Sequence, residues 1–327
     1  MTSEETMQTI VFETAAAAVR ARARIRDHIY QTPLLPARKA GKAEGATVLF
    51  KAENFQLTGS FKIRGAMAKM SAQPAGGRLI TASSGNHGIG AAHASHALSR
   101  NLTVVLPQTV VPAKLEKIRS YGVEVILHGE ETGLAEQHAQ ERAASEGHAY
   151  ISPYNDPDVI AGQGTIALEI LEQCTGVDNV FVAMGGGGLI SGIGAVLKAF
   201  SPRTKLYGVA ASHSKALAES MAAGRVVETE HRETLADAVA GGIDLDTITL
   251  PLATATVDEV VECGEDDIRA ALKTLALEEN MIVEGSAALA LAGFNKVAAS
   301  LAGQTSVILL CGANFDRDLV TQAIYGP

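Results

Sequence analysis

The run Gly185-Gly186-Gly187-Gly188 constrains this chain more than any other feature, because of what flanks it. Val180 to Ala183 before it reads as a short apolar strand, and Leu189 to Phe200 after it reads as a helix. Four residues without Cβ between a strand and a helix let main-chain amides approach an anion closely, and the helix N-terminus adds partial positive charge. The run does not continue into the Gly-Lys-Ser/Thr of a P-loop, and it fits the dinucleotide pattern GxGxxG in no frame. It predicts a phosphate cradle of another kind. Taken alone, it is equally a tightly packed strand-to-helix turn.

The same rhythm runs along the chain. Leu79–Thr81, Leu102–Leu106 and Val123–Leu127 read as strands, with helices expected over 88–98, between Pro112 and Gly122, and over 131–146. Further strands are expected over 48–51, 206–210 and 306–310, and further helices over 11–29, 61–69, 265–278 and 286–300. Strands alternating with helices predict an α/β protein with two layered sheets, each covered by helices. Pro153 and Pro157 mark a crossing between the two, and 327 residues suit two domains.

Several functions are disfavoured. With 27 Lys and Arg against 36 Asp and Glu, the net charge of −9 is the wrong sign for a phosphate-backbone surface. Aromatics make up only 4% and Trp is absent, so base-stacking platforms are not expected. Cys174, Cys263 and Cys311 form no CxxC pair, which supports neither a disulfide framework nor a thiolate zinc site. Glu4 and Glu5 stand where a signal peptide would need a basic segment. Asn179 to Leu197 is uncharged and nearly long enough to span a bilayer, but its glycines would leave backbone unsatisfied in lipid. A soluble, cytoplasmic protein is expected.

Two other loops carry chemistry. In TGSFK (58–62), Lys62 follows a Gly/Ser turn and an aromatic residue and begins a helix. A lysine held in a partly dry site has its ammonium form disfavoured, which frees an amine for Schiff-base chemistry. SSGNHG (83–88) lies between a strand and a helix, at the strand end where ligands of open α/β sheets gather. Its amides and hydroxyls suit a carboxylate, although Ser, Gly and Asn also make an ordinary turn and helix cap. No serine sits in GxSxG, and no HExxH occurs. His93 and His96 read as ordinary helix positions, and Cys311 by itself as a buried core thiol.

Together, ENFQLTGSFKIRG (53–65), SSGNHG (83–88), AGQGT (161–165), GGGGL (185–189) and CGAN (311–314) resemble the fold-type II pyridoxal-phosphate (PLP) enzymes. The similarity is to the threonine/serine dehydratase and serine racemase branch, in the same order and over nearly the whole chain. The resemblance implies a tryptophan synthase β-like α/β fold of two three-layer domains with largely parallel sheets. Residues 1–72 and 155–327 would form the large cofactor domain, and residues 73–154 the small substrate-side domain. It implies that Lys62 bonds the cofactor aldehyde, Phe61 packs beside the ring and Asn86 meets the ring hydroxyl. The amides of Gly185, Gly186, Gly187, Gly188 and Leu189 would hold the phosphate, with Cys311 at the ring nitrogen. Ser83, Ser84, Asn86 and His87 would hold the substrate carboxylate, and Ser84 matches the second acid/base of racemases. The implied reaction removes the β-hydroxyl of a small hydroxy amino acid, giving a 2-oxo acid and ammonia, with Lys62 as general base. The implied assembly is a homodimer or larger.

Departures from the branch narrow the expectation. After the strand at 206–210, Ala210 to Lys215 carries no carboxylate where some relatives hold a divalent cation, so no metal is expected. Glu130 to Leu134 lacks the arginine of relatives acting on β-carboxylated substrates, which lowers hydroxyaspartate as substrate and serine racemase as a specific activity. Ala313 stands where glycine is usual, and the chain stops at Pro327 with no room for a regulatory domain, which suggests a catabolic role. Rival readings are racemisation through Lys62 and Ser84, a dehydratase of hydroxyectoine breakdown, and a non-catalytic PLP-binding protein. Cysteine-synthase-like β-replacement is disfavoured by His87 where those enzymes carry Thr, and a dinucleotide oxidoreductase by the missing GxGxxG. Activity retained after thorough chelation is the expected outcome of the missing carboxylates, and loss restored by a divalent cation would overturn it.

Overall fold

Strands buried on both faces, such as Val180 to Val182 and Val307 to Leu310, belong to parallel sheets covered by helices on each side. The computed structural model describes residues 3–326. The chain opens with α1 (Ser3–Ile25), then β1 (Leu34–Pro36), β2 (Thr47–Ala52) and α2 (Lys62–Ala72). It next builds β3 (Leu79–Ala82), α3 (Asn86–Ala97), β4 (Leu102–Leu106), α4 (Pro112–Arg119), β5 (Glu124–Leu127), α5 (Thr132–Glu146) and β6 (Ala149–Tyr150). It returns through α6 (Pro157–Gln173) to β7 (Asn179–Ala183), α7 (Gly188–Phe200), β8 (Lys205–Ala211), α8 (Ala216–Ala223) and α9 (Thr249–Thr256). Last come β9 (Glu259–Cys263), α10 (Glu265–Leu277), α11 (Gly285–Val297), β10 (Thr305–Leu310) and α12 (Arg317–Tyr325).

Two sheets result. The larger has the order β1-β2-β10-β7-β8-β9 and is parallel except for the β1–β2 pair; the smaller, β5-β4-β3-β6, is parallel throughout. Helix α1 serves both cores. Ala15 and Ala18 pack with the large sheet's core, and Ala21 and Ile25 with the core beneath the small sheet. Among the described residues no helix is long and apolar enough to cross a membrane. The uncharged stretch 179–197 divides into β7, the glycine loop and most of α7.

Sequence and structure differ in places. Helix α1 ends at Ile25 rather than at 29, where an Arg26–Arg22 bond and a His28–Ile25 bond tighten its last turn. The AGQGT motif lies inside α6, a helix left out of the sequence expectation. Its start is nevertheless encoded: Asp156 accepts from the amides of Asp158 (2.9 Å) and Val159 (3.1 Å), and Pro157 occupies a first-turn position. Close packing explains the motif's glycine. A Cβ on Gly164 would lie 2.8 Å from the Gly192 carbonyl, so α6 and α7 meet through glycine.

Helix α2, which begins with Lys62, is anchored by ion pairs sealed from water. Arg64 bonds Glu53 at 2.8 and 2.9 Å and Glu169 at 2.6 and 2.9 Å; Lys51 bonds Glu169 at 2.6 Å. Two cations and two carboxylates balance, which is the condition for burying charge at all. Removing one partner leaves a cation stranded. We expect Glu169→Ala to cost about 3–5 kcal/mol in denaturant unfolding, and a loss within the error of the measurement would show that water reaches the cluster.

Candidate active site

Parallel strands bring their carboxyl ends to the same side, and three loops converge there. The loop after β3 carries Ser83 to Gly85, the loop after β7 carries the glycine run, and Cys311 and Gly312 follow β10. Together with the N-termini of α2 and α11, they enclose a cavity of about 280 Å³. Phe61, Lys62, Ser83, Asn86, His87, Gly185 to Leu189 and Cys311 all line it. Ser84 is half-buried and is not among the lining residues.

Lys62 sits at the first turn of α2, and its Nζ donates to the Pro153 carbonyl at 2.8 Å and lies 5.3 Å from the Phe61 ring centre. Burial pulls its pKa down to about 8, against the opposing pull of Cys311 and Glu284. The Phe61 amide bonds the Cys311 carbonyl at 3.0 Å, which ties the start of the lysine helix to the end of β10.

The glycine loop is a tightly packed turn, one of the two readings its sequence allows. At each glycine, the space a Cβ would take already belongs to protein. Val239 lies against Gly185, the Tyr154 ring against Gly186, Thr249 against Gly187 and the Tyr154 carbonyl against Gly188. Gly187 also has φ +90°, a conformation that favours glycine. Among the described residues, no acceptor takes the amides of Gly185, Gly186 or Gly187. Undonated amides lining a cavity at a helix N-terminus are suited to an anion.

Helix α3 begins with Asn86 and His87, which also line the cavity. His87 Nε2 lies 2.9 Å from the Ile151 carbonyl and 3.0 Å from Thr81 Oγ1. A carbonyl only accepts, so Nε2 carries the hydrogen, and Nδ1 is left buried without a partner. Burial, and then the charge of Lys62, hold the imidazole neutral, with its pKa lowered to about 3. The ring therefore offers the cavity no N–H.

Sequence reasoning missed Glu284, which is buried at the N-cap of α11 and lines the cavity. Its two oxygens each accept from Asn86 Nδ2 at 3.0 Å, Oε2 also accepts from the Asn314 amide at 3.1 Å, and the Cys311 thiol lies 3.8 Å from Oε1. Burial raises its pKa to about 7 despite those bonds. Asn314 also donates to Asn86 Oδ1 at 2.7 Å and accepts from Lys117 Nζ at 2.9 Å. A lone carboxylate among apolar residues in MIVEGS (281–286) was the available signal. Lys114, Tyr154 and Asp237 also line the cavity and were likewise unanticipated.

Comparison with known proteins settles the family. A model of the family described as pyridoxal-phosphate dependent enzymes matches residues 25–312. The chain belongs to that family. It is 36% identical to an L-threonine ammonia-lyase of Geobacter sulfurreducens over 309 residues, 92% of this chain and 75% of that protein. Its fold matches the processed form of threonine deaminase isoform 2 from Solanum lycopersicum with a TM-score of 0.91 at 32% identity, covering 99% and 88% of the two chains. It matches maize serine racemase with a TM-score of 0.86 at 29% identity, covering 95% and 96%.

The residues present fit the family's cofactor. The undonated amides suit its phosphate, and a buried amine with a lowered pKa suits its aldehyde. The neutral His87 has a consequence for stability. Unfolded, it takes up a proton below its ordinary value near 6.5; folded, it resists until about 3. Its contribution is therefore complete above pH 6.5 and lost as pH falls toward 3. We expect His87→Gln to lose less stability than the wild type between neutral and mildly acid pH, read from denaturant midpoints. A difference between the two proteins that does not change with pH would contradict this.

Proposed function

We propose that the chain is a PLP-dependent lyase, a dehydratase that removes the β-hydroxyl of a small hydroxy amino acid, threonine or serine by default, to give a 2-oxo acid and ammonia. The observation that carries this reading is the Lys62 amine, held at a pKa of about 8 in the same cavity as the undonated glycine amides. Relatives named L-threonine ammonia-lyase and threonine deaminase support the reaction class.

Bound PLP supplies an electron sink beside the substrate Cα. Gly185 to Leu189 would hold its phosphate, Phe61 would pack beside its ring, and Cys311 would face the ring nitrogen. Asn86 commits one amide hydrogen to Glu284 and keeps a second for the ring hydroxyl. Lys62, once free, takes the proton from Cα. The Pro153 carbonyl suits this role because an acceptor without charge holds the amine in either protonation state. Ser83 and the first-turn amides of α3 at Asn86 and His87 would meet the substrate carboxylate, since the His87 ring offers no donor.

The remaining assignments belong to the same proposal. The small sheet draws its strands from residues 79–150 and the large sheet from 34–52 and 179–310, which supports a small domain at 73–154 and a large one from 1–72 and 155–327. A homodimer or larger follows the resemblance. The three cysteines are free, which supports a cytoplasmic setting. Racemisation is placed second. The likeness to maize serine racemase favours it, but Ser84 stands outside the cavity lining.

The test is a panel of hydroxy amino acids with the purified holoprotein, reading 2-oxo acid and ammonia in equal amounts. Lys62→Ala should lower turnover by about 10²–10⁴-fold, the usual contribution of a positioned base. Solvent deuterium entering Cα without ammonia release would replace the lyase with a racemase, and a Lys62→Ala variant as fast as the wild type would remove Lys62 from the chemistry.

A further inference from the structure

We infer that Glu284 sets the direction of the Cys311 thiol hydrogen and thereby decides whether the thiol acts as donor or acceptor toward the cofactor's ring nitrogen. The inference rests on the reading that places Cys311 at that nitrogen. It gives a role to a buried carboxylate that the proposed reaction otherwise leaves unused.

The hydrogen-bond inventory around Glu284 carries the argument. Asn86 Nδ2 and the Asn314 amide can only donate, and together they occupy both carboxylate oxygens. The third neighbour, the Cys311 thiol on Oε1, can donate weakly or accept weakly. When Glu284 is ionised, all three neighbours donate to it. The S–H then points at Oε1, and the sulfur lone pairs face the cavity as an acceptor. When Glu284 is protonated, its O–H needs an acceptor, and of these three neighbours only the sulfur can be one. The thiol hydrogen is then released from Oε1 and turns toward the ring nitrogen as a donor. The proton that Glu284 gains comes from solvent, and the thiol keeps its own hydrogen throughout, so only its partner changes.

The surroundings are arranged for this exchange. A Cβ on Gly312 would lie 2.7 Å from Oε1 and 2.9 Å from Oε2, so the residue after Cys311 leaves room for the carboxylate. Burial favours the protonated form, and the charge of Asp237, from the turn Asp237–Val239, pushes the same way; the Asn86, Asn314 and Cys311 bonds oppose them. These balance at about 7, so both forms are populated near neutral pH. Other titratable groups lie at the head of α2 (Lys62), in α3 (His87, which stays neutral) and in α4, where Lys117 reaches Asn314 from the small-sheet side. The thiol itself stays protonated, since burial and Glu284 raise its pKa well above the ordinary value.

The cofactor's own visible absorbance reports on its ring nitrogen and needs no substrate. In the holoprotein, titration across neutral pH should show a single-proton change in that absorbance with a midpoint of about 7. Glu284→Gln should abolish the step. Cys311→Ala should abolish it too, although Glu284 is intact, because the thiol carries the effect. Cys311→Ser should retain it, since a hydroxyl also donates and accepts. A wild type without a step, or a step that survives in Glu284→Gln, would remove Glu284 from the role. A step that survives in Cys311→Ala would show that the carboxylate acts without the thiol, and would equally overturn the inference. If Glu284→Gln fails to fold, the wild type and the two Cys311 variants still decide. Should the placement of Cys311 at the ring be wrong instead, neither Cys311 variant would move the cofactor band at any pH.

Discussion

Two residues beyond the cavity lysine, a guanidinium with no exposure to water holds two carboxylates at once. Arg64 joins α2 to the turn after β2 through Glu53 and to α6 through Glu169, while Lys51 closes the group from β2. The first turn of α2, and with it the reach of Lys62, is set by that cluster. Such an arrangement gains little over an apolar core of the same shape. What it provides is direction, because a planar fork between two carboxylates tolerates only one orientation.

Desolvation then supplies the chemistry. The same loss of water pushes three neighbouring groups in different directions, each toward its uncharged form. Lys62 is lowered, His87 is lowered further, and Glu284 is raised. An amine that sheds its proton more easily, an imidazole that stays neutral and a carboxylate poised near neutrality are what one dry cavity makes of three ordinary side chains. The glycine loop contributes without titrating. Its amides are directed by the packing of Tyr154, Val239 and Thr249 behind them, so the cradle for an anion is held from its protein side.

Much of this was legible in advance. The strand-to-helix position of the glycine run, the lysine after TGSF and the SSGNHG loop were all placed at the ends of elements that the structure contains, and they meet at one cavity. Asp156 and Pro157 fit a helix start as well as a crossing between domains, and only the structure separates the two, since they begin α6. The glycines allow both a phosphate cradle and a packed turn from sequence alone, and only the structure shows protein filling the space on their Cβ side. Glu284 left almost no trace, since a single acidic residue ahead of an apolar helix is indistinguishable from an N-terminal cap.

The chain alone determined the inventory: an amine, a thiol, four residues without side chains, and the order in which they alternate with strands and helices. Those are covalent and local properties, and short-range periodicity is enough to place them. Tertiary structure decided the protonation states and the donor or acceptor role of each group. Asn86 and Glu284 are 198 positions apart and still share a pair of hydrogen bonds. Water is excluded from such a contact only when distant segments close over it, and pKa values follow the water.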